Sequence, residues 1–109
     1  MANMTDKEAK ERGKEVQAAI NELITEGKLP EIKSMTRAQR RELDAKKLNY
    51  FKGVPSGESA VLQQENCSDW ILDNVYPDFD FDNLPNNICY YFGQMVFAAT
   101  YSDKLSEKN

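Results

Sequence analysis

A chain of 109 residues with a net charge of −4 fits one small domain with a modest core. Hydrophobic residues make up 40% and charged residues 29%, which is ordinary for a globular protein and too apolar for wholesale disorder. The sequence contains no histidine, the commonest general base and transition-metal ligand, so hydrolytic triads and most zinc sites are disfavoured.

A first helix is predicted to begin at Thr5 and end at Gly27. Thr5 and Glu8 have the spacing of a capping box, and Gly27 is a typical C-terminal residue. One apolar stripe follows at helical spacing: Val16, Ala19, Ile20, Leu23 and Ile24. Because the first turns are almost wholly charged, we expect residues 1–14 to form a solvated or frayed start to this helix.

A second helix is predicted over 37–48, with Thr36 as its N-cap and Gln39 three residues further on. It has little apolar surface and is expected to lie on the outside of the protein. The glycines and proline of residues 49–57 then predict an internal hinge loop.

A third helix is predicted from about Glu58 to Tyr76, where Pro77 ends it, and a fourth begins near Pro85. Strand patterns are nearly absent. The sequence therefore predicts an all-α fold, a small bundle of about four helices forming a single domain over residues 1–109.

The fourth helix contains the largest concentration of apolar surface, since ten of the twelve residues from Ile88 to Ala99 are apolar or aromatic. This run is shorter than the roughly 20 apolar residues that span a bilayer, so no membrane association is predicted. Two interpretations stay open. The helix is either the covered centre of the bundle, or its Tyr90, Phe97 and Tyr101 flank stays partly exposed for a hydrophobic partner or for self-association.

The net charge has opposite signs in the two halves of the sequence. Residues 1–52 carry 12 Lys or Arg against 9 Asp or Glu, a net charge of +3. Residues 53–109 carry 2 against 9, a net charge of −7. Such an asymmetry is able to orient subunits head to tail or to steer a partner.

Few residues point to metal or catalytic chemistry. Asp78, Asp80 and Asp82 alternate as at the start of a calcium loop, but Asn83 and Cys89 stand where that loop needs glycine and glutamate. Cys67 and Cys89 form neither a disulfide framework nor a CxxC pair. No phosphate-binding loop or nucleophile motif is present, so we predict a non-enzymatic protein without metal or cofactor.

The second helix offers an alternative function, because Arg37, Arg40 and Arg41 share one face that is suited to phosphate contacts. A small DNA- or RNA-binding regulator would use this face. Glu42 and Asp44 interrupt it, however, and the sequence pI is near 4.8, whereas nucleic-acid binders are usually basic. Nucleic acid is therefore the less favoured partner.

Three segments together resemble the tail assembly chaperones of long-tailed bacteriophages and prophages. They are Met-Thr-Arg-Ala-Gln-Arg-Arg-Glu-Leu-Asp at 35–44, Trp-Ile-Leu-Asp-Asn-Val-Tyr-Pro-Asp at 70–78, and Phe-Asp-Asn-Leu-Pro at 81–85. The resemblance covers roughly residues 33–100. The chain departs from the family's pattern in its long charged first helix and its unusually aromatic last helix.

The resemblance implies a small α-helical, non-enzymatic protein of the host bacterial cytoplasm that is absent from the finished virion. Such chaperones coat the tape-measure protein, keep it soluble and help to recruit tail-tube subunits. On this hypothesis the partner-binding surface belongs to the last helix. Its predicted residues are Ile88, Tyr90, Phe92, Met95, Phe97 and Tyr101.

Overall fold

A computed structural model of the protein describes the backbone of residues 6–106 and the side chains of residues 7–101. The described part contains the α-helices α1 (Asp6–Thr25), α2 (Arg37–Ala45), α3 (Ala60–Val75) and α4 (Asn86–Ser106), with a 3-10 helix at Tyr50–Lys52. No strand occurs in this part of the chain, so the predicted all-α class with four helices is confirmed.

The chain divides into two compact units, with the boundary between Glu31 and Ile32. The first unit contains α1, and the second contains the other three α-helices and the 3-10 helix. The single domain over 1–109 stays a prediction. None of the described helices combines the length and the apolarity needed to cross a membrane.

The end of α1 confirms the role predicted for Gly27. This glycine has a φ of 77°, and its N–H donates to the Ile24 carbonyl at 3.0 Å while the Lys28 N–H donates to the Leu23 carbonyl at 2.8 Å. The two bonds form a Schellman motif, which satisfies carbonyls that the helix leaves without partners. Thr5, the predicted N-cap, lies outside the described residues.

The start of α2 confirms the predicted capping box. The Gln39 N–H donates to Thr36 Oγ1 at 3.1 Å, and the Thr36 N–H donates to Gln39 Oε1 at 2.9 Å. The helix ends at Ala45, earlier than predicted, because Lys47 adopts a φ of 62°. Glycine usually takes this left-handed conformation, so the lysine gave no sequence signal for the stop.

The predicted hinge loop at 49–57 contains the 3-10 helix and is held at several points. Asn49 is 4% exposed, and its Nδ2 donates to the Tyr101 hydroxyl at 2.7 Å. From α3, the Gln63 Nε2 donates to the Gly53 carbonyl at 3.0 Å. These bonds connect the loop to both α3 and α4, and whether it acts as a hinge stays a prediction.

The helices α3 and α4 face each other and supply most of the second unit's core. Ser59 caps α3 by accepting a hydrogen bond from the Leu62 N–H at 3.3 Å, and α4 begins directly after Pro85. In the second unit, the least exposed side chains of these two helices are Cys67, Ser68, Ile71, Phe92, Val96 and Phe97.

Gly93 allows α3 and α4 to approach closely. A Cβ atom at position 93 would lie 2.7 Å from Ser68 Cβ and 2.8 Å from Ser68 Cα, which is closer than such atoms come in proteins. Ser68 itself is 1% exposed, and its hydroxyl donates to the Tyr90 carbonyl at 3.0 Å. The contact therefore involves the backbone of α3, which cannot move aside as the end of a side chain can.

Gly93→Ala is expected to lower the free energy of unfolding by about 1–3 kcal/mol, because overpacking a well-packed contact costs that much. At an exposed helical position the same exchange would instead stabilise by up to about 1 kcal/mol. Urea unfolding followed by circular dichroism measures the difference. The exposed Ala98→Gly exchange in α4 calibrates helix propensity in the same helix, and a stabilised Gly93→Ala variant would contradict the close contact.

Candidate functional site

Half of the partner-binding residues predicted on α4 belong to the core. Ile88 is 8% exposed, and Phe92 and Phe97 are both 0% exposed. The Phe92 ring lies 5.2 Å from the Tyr76 ring and 5.3 Å from the Phe81 ring, measured between centroids. The expectation that Phe97 stays partly exposed is therefore wrong, because the protein's own core surrounds it together with Ile88 and Phe92.

The other three predicted residues, Tyr90, Met95 and Tyr101, are partly exposed. The Tyr90 hydroxyl donates to Gln64 Oε1 at 2.9 Å, and the Tyr101 hydroxyl accepts the hydrogen bond from Asn49. Both phenols thus make hydrogen bonds within the chain. A role for these three residues in partner binding stays a prediction.

The 3-10 helix covers Phe97, one residue of the α4 flank that one interpretation of the sequence left partly exposed, whereas Tyr90 and Tyr101 of that flank remain partly exposed. The Tyr50 ring stacks on the Phe97 ring at a centroid distance of 4.5 Å, and Phe51 contacts the same ring edge-on at 4.9 Å. The Tyr50 hydroxyl donates to Gln94 Oε1, which fixes the 3-10 helix along α4. Phe97 is buried for this reason, and its cover comes from a distant part of the sequence.

A different set of apolar side chains is exposed. Among the described side chains, the large apolar ones on the surface all lie between residues 51 and 62: Phe51 (66% exposed), Val54 (42%), Val61 (67%) and Leu62 (54%). We refer to these four as the 51–62 apolar surface. Exposed apolar side chains concentrated in this way are typical of sites that contact another molecule.

Two elements position the 51–62 apolar surface. Phe51 and Val54 belong to the loop before α3, whereas Val61 and Leu62 belong to the first turn of α3. Gln63 joins these elements, because its Nε2 donates to the Lys47 and Gly53 carbonyls at 3.0 Å each. The loop and the start of α3 therefore lie side by side.

Helical spacing contains a signal that points to this surface. The core stripe of α3 passes through Cys67, Ile71 and Val75, all buried. Leu62 precedes Cys67 by five residues, which at 100° per residue places it about 140° away around the helix. No role was predicted from the sequence for the two exposed apolar residues in the first turn of this helix.

The arginine face of α2 contains a carboxylate that is paired with cations. Arg37 and Arg41 are exposed, and Arg40 lies 3.9 Å from Asp44, which also lies 3.0 Å from Lys52. Burial acts to raise the pKa of Asp44, but hydrogen bonds from Asn49 and Lys52 and the nearby positive charges lower it overall. The face is therefore less basic than its three arginines suggest.

The aspartates and cysteines have local structural roles. The Asp80 carboxylate accepts from the Asp82 N–H at 2.9 Å and from Asn83 Nδ2 at 3.0 Å, which fixes the turn before α4. Burial raises the pKa of the Cys67 thiol to about 12, which makes it a poor nucleophile at neutral pH. Within residues 7–101, no group of three or more Cys, Asp or Glu side chains is arranged to hold a metal ion.

No protein-family model, curated protein or solved structure matches the chain. The comparisons therefore do not test the resemblance to tail assembly chaperones. The features that bear on function are the 51–62 apolar surface and its surroundings, together with the sequence segments that carry that resemblance.

Alkaline pH is expected to destabilise the protein through its tyrosines. Burial raises the pKa of Tyr50, assisted by nearby Cys67, Tyr90 and Tyr101, and burial likewise raises the pKa values of Tyr76, Tyr90 and Tyr101. The unfolded chain releases these protons near the ordinary tyrosine pKa of 10.0, whereas the folded protein retains them. The contribution of these tyrosines to the free energy of unfolding is therefore fully present below that pH. Above it, the free energy of unfolding falls by about 1.4 kcal/mol per pH unit for each retained proton.

Urea unfolding at a series of alkaline pH values measures this loss. Tyr50→Phe should give a shallower decline than the unsubstituted protein, because one of the retained protons is removed. A decline with the same slope in both proteins would contradict the contribution assigned to Tyr50.

Proposed function

We propose that this protein is a non-enzymatic tail assembly chaperone that binds the tape-measure protein and keeps it soluble during tail assembly. The observation that carries the proposal is the 51–62 apolar surface, whose four side chains are 42% to 67% exposed. A chaperone needs accessible apolar groups that replace water on the apolar face of its client. The resemblance of residues 33–100 supports the choice of client.

The proposed binding residues are the four of the 51–62 apolar surface, in place of the buried residues of α4. Phe51 rests edge-on against Phe97 and Tyr101, with centroid distances of 4.9 Å and 5.5 Å. These contacts restrict the ring before any partner arrives, which lowers the conformational entropy that binding costs. Val61 and Leu62 are held on a capped helix, so this half of the surface is also preorganised.

The proposal includes a cellular setting taken from the resemblance. The chaperone would act in the cytoplasm of the host bacterium, help to recruit tail-tube subunits and be displaced as the tube polymerises. Its action would need no cofactor, because binding and release of apolar surface suffice for this role.

A nucleic-acid regulator is the alternative function, favoured by the exposed Arg37 and Arg41 on α2. The pairing of Asp44 with Arg40 and Lys52 weighs against it, as does the acidic sequence pI of about 4.8. Binding to nonspecific duplex DNA at increasing salt concentration separates the two functions. A regulator loses affinity steeply with salt, whereas a chaperone shows no such binding.

Co-expression with the tape-measure protein, taken as the largest protein encoded just downstream, tests the proposal. We expect a soluble complex with many copies of this chain per partner, measured by size-exclusion chromatography with light scattering. Val61→Asp with Leu62→Asp should lower the yield of soluble partner at least tenfold, because each buried apolar side chain contributes about 1.5–3 kcal/mol to binding. The fold should persist, since negative charge is favourable in the first turn of a helix.

Two controls accompany this pair of substitutions. Gln17→Asp with Asn21→Asp adds the same charge at exposed positions of α1, outside the surface, and should leave the complex intact. Phe92→Asp should unfold the protein, because it buries an unpaired charge at a position that is 0% exposed. A partner that stays insoluble with the unsubstituted chain, or stays equally soluble with the double substitution, would contradict the proposal.

A further inference from the structure

A row of carboxylates continues from the 51–62 apolar surface along α3. Glu65, Asp69 and Asp73 are exposed and spaced four residues apart, so they lie on one side of the helix. Residues 53–101, which include the whole of α3, contain no lysine or arginine. Like charges at this spacing destabilise a helix by about 0.2–0.5 kcal/mol per pair.

The carboxylates and the exposed apolar residues share one face of α3. Leu62 precedes Asp69 by seven residues, which places the two about 20° apart around the helix, and Val61 precedes Glu65 by four residues, which places them about 40° apart. We refer to these four residues and Asp73 as the outer face of α3. It starts with two apolar side chains and continues with three negative ones.

Other sides of α3 are occupied by the chain itself. Gln39 of α2 donates from Nε2 to the Asn74 carbonyl at 3.2 Å, and Ser68 contacts α4. None of the carboxylates of the outer face forms an ion pair with another described side chain. The outer face is thus left for a partner outside residues 53–101.

The surroundings of Asp69 and Asp73 combine negative charge with apolar groups. Both residues border a cleft between α3 and the turn before α4, which is also lined by Leu72, Phe81, Leu84 and Asp82. Burial raises the pKa of Asp69, and repulsion from Asp73 and Glu65 raises it further. A positive group placed here would relieve that repulsion.

We propose, resting on the chaperone function proposed above, that the client segment is a basic amphipathic helix. Its apolar stripe contacts Val61 and Leu62, and lysines or arginines along one edge contact the three carboxylates. Apolar burial supplies most of the affinity, while charge complementarity fixes the orientation of the bound helix and excludes acidic helices. The matching spacing in the client is three or four residues between successive basic groups.

Fluorescence anisotropy with three labelled synthetic helices tests this proposal. All three have the same composition of apolar residues. The first has a leucine stripe with lysines along its edges, and the second has the same stripe with glutamates along its edges. The third has the lysines of the first, but its leucines are scrambled so that they form no stripe. The full chain should bind the first at least tenfold more tightly than either of the others, and added salt should weaken that binding.

Asp69→Lys with Asp73→Lys should reverse the preference, so that the glutamate-edged helix binds more tightly. Glu11→Lys with Glu15→Lys makes the same change in net charge on α1 and should leave the preference unchanged. Circular dichroism of each variant confirms that the helices are retained. Equal binding of the lysine- and glutamate-edged helices, or no reversal in a folded variant, would overturn the proposal.

A second copy of this chain is the competing occupant, because residues 1–52 carry a net charge of +3. Light scattering measures the mass of the protein alone at increasing concentration. If the mass rises with concentration and Asp69→Lys with Asp73→Lys abolishes the rise, the outer face of α3 serves self-association and the proposal is overturned. The two proposals fail separately. If a soluble complex with the tape-measure protein forms but the peptides bind without charge preference, only the basic-helix proposal is refuted. If the peptides bind with charge preference but no such complex forms, only the chaperone function is refuted.

Discussion

The second unit depends on the close approach of α3 and α4 at Gly93. Since a Cβ at this position would lie 2.8 Å from the Ser68 Cα, only glycine allows the two backbones to approach this closely. The neighbouring Gln94 then reaches Ser68 Oγ at 2.8 Å and accepts the hydrogen bond from the Tyr50 hydroxyl. The absence of a side chain on Gly93 thus sets the spacing of α3 and α4, the register of the polar contacts between them and the position of the 3-10 helix.

The position of the 3-10 helix decides which apolar groups meet solvent. With Tyr50 stacked on Phe97, the Phe97 ring of α4 is buried inside the protein, and Phe51 is left 66% exposed at its edge. The exposed apolar surface therefore lies at the start of α3 and not on α4. There it adjoins the carboxylates of the outer face of α3, a combination that favours a partner with both apolar and positive groups.

Local signals in the sequence predicted the helices well, because capping and periodicity involve residues a few positions apart. The Thr36 and Gln39 capping box and the Gly27 stop are of this kind. The candidate site depends on long-range contacts, which periodicity does not encode. Neither the stacking of Tyr50 on Phe97 nor the fit of Gly93 against Ser68 follows from local spacing, so the apolar richness of α4 left open whether Phe97 belongs to a surface or to the core, where the structure places it.

Hydrogen–deuterium exchange of the chain, alone and bound to the tape-measure protein, tests most directly whether residues 51–62 form the binding surface. Slower exchange on binding is expected in the loop before α3 and in the first half of α3. No change is expected at residues 88–97 of α4, whose amides are already within the core helix. Slower exchange confined to α4, with none around Phe51 and Leu62, would contradict the proposed binding surface.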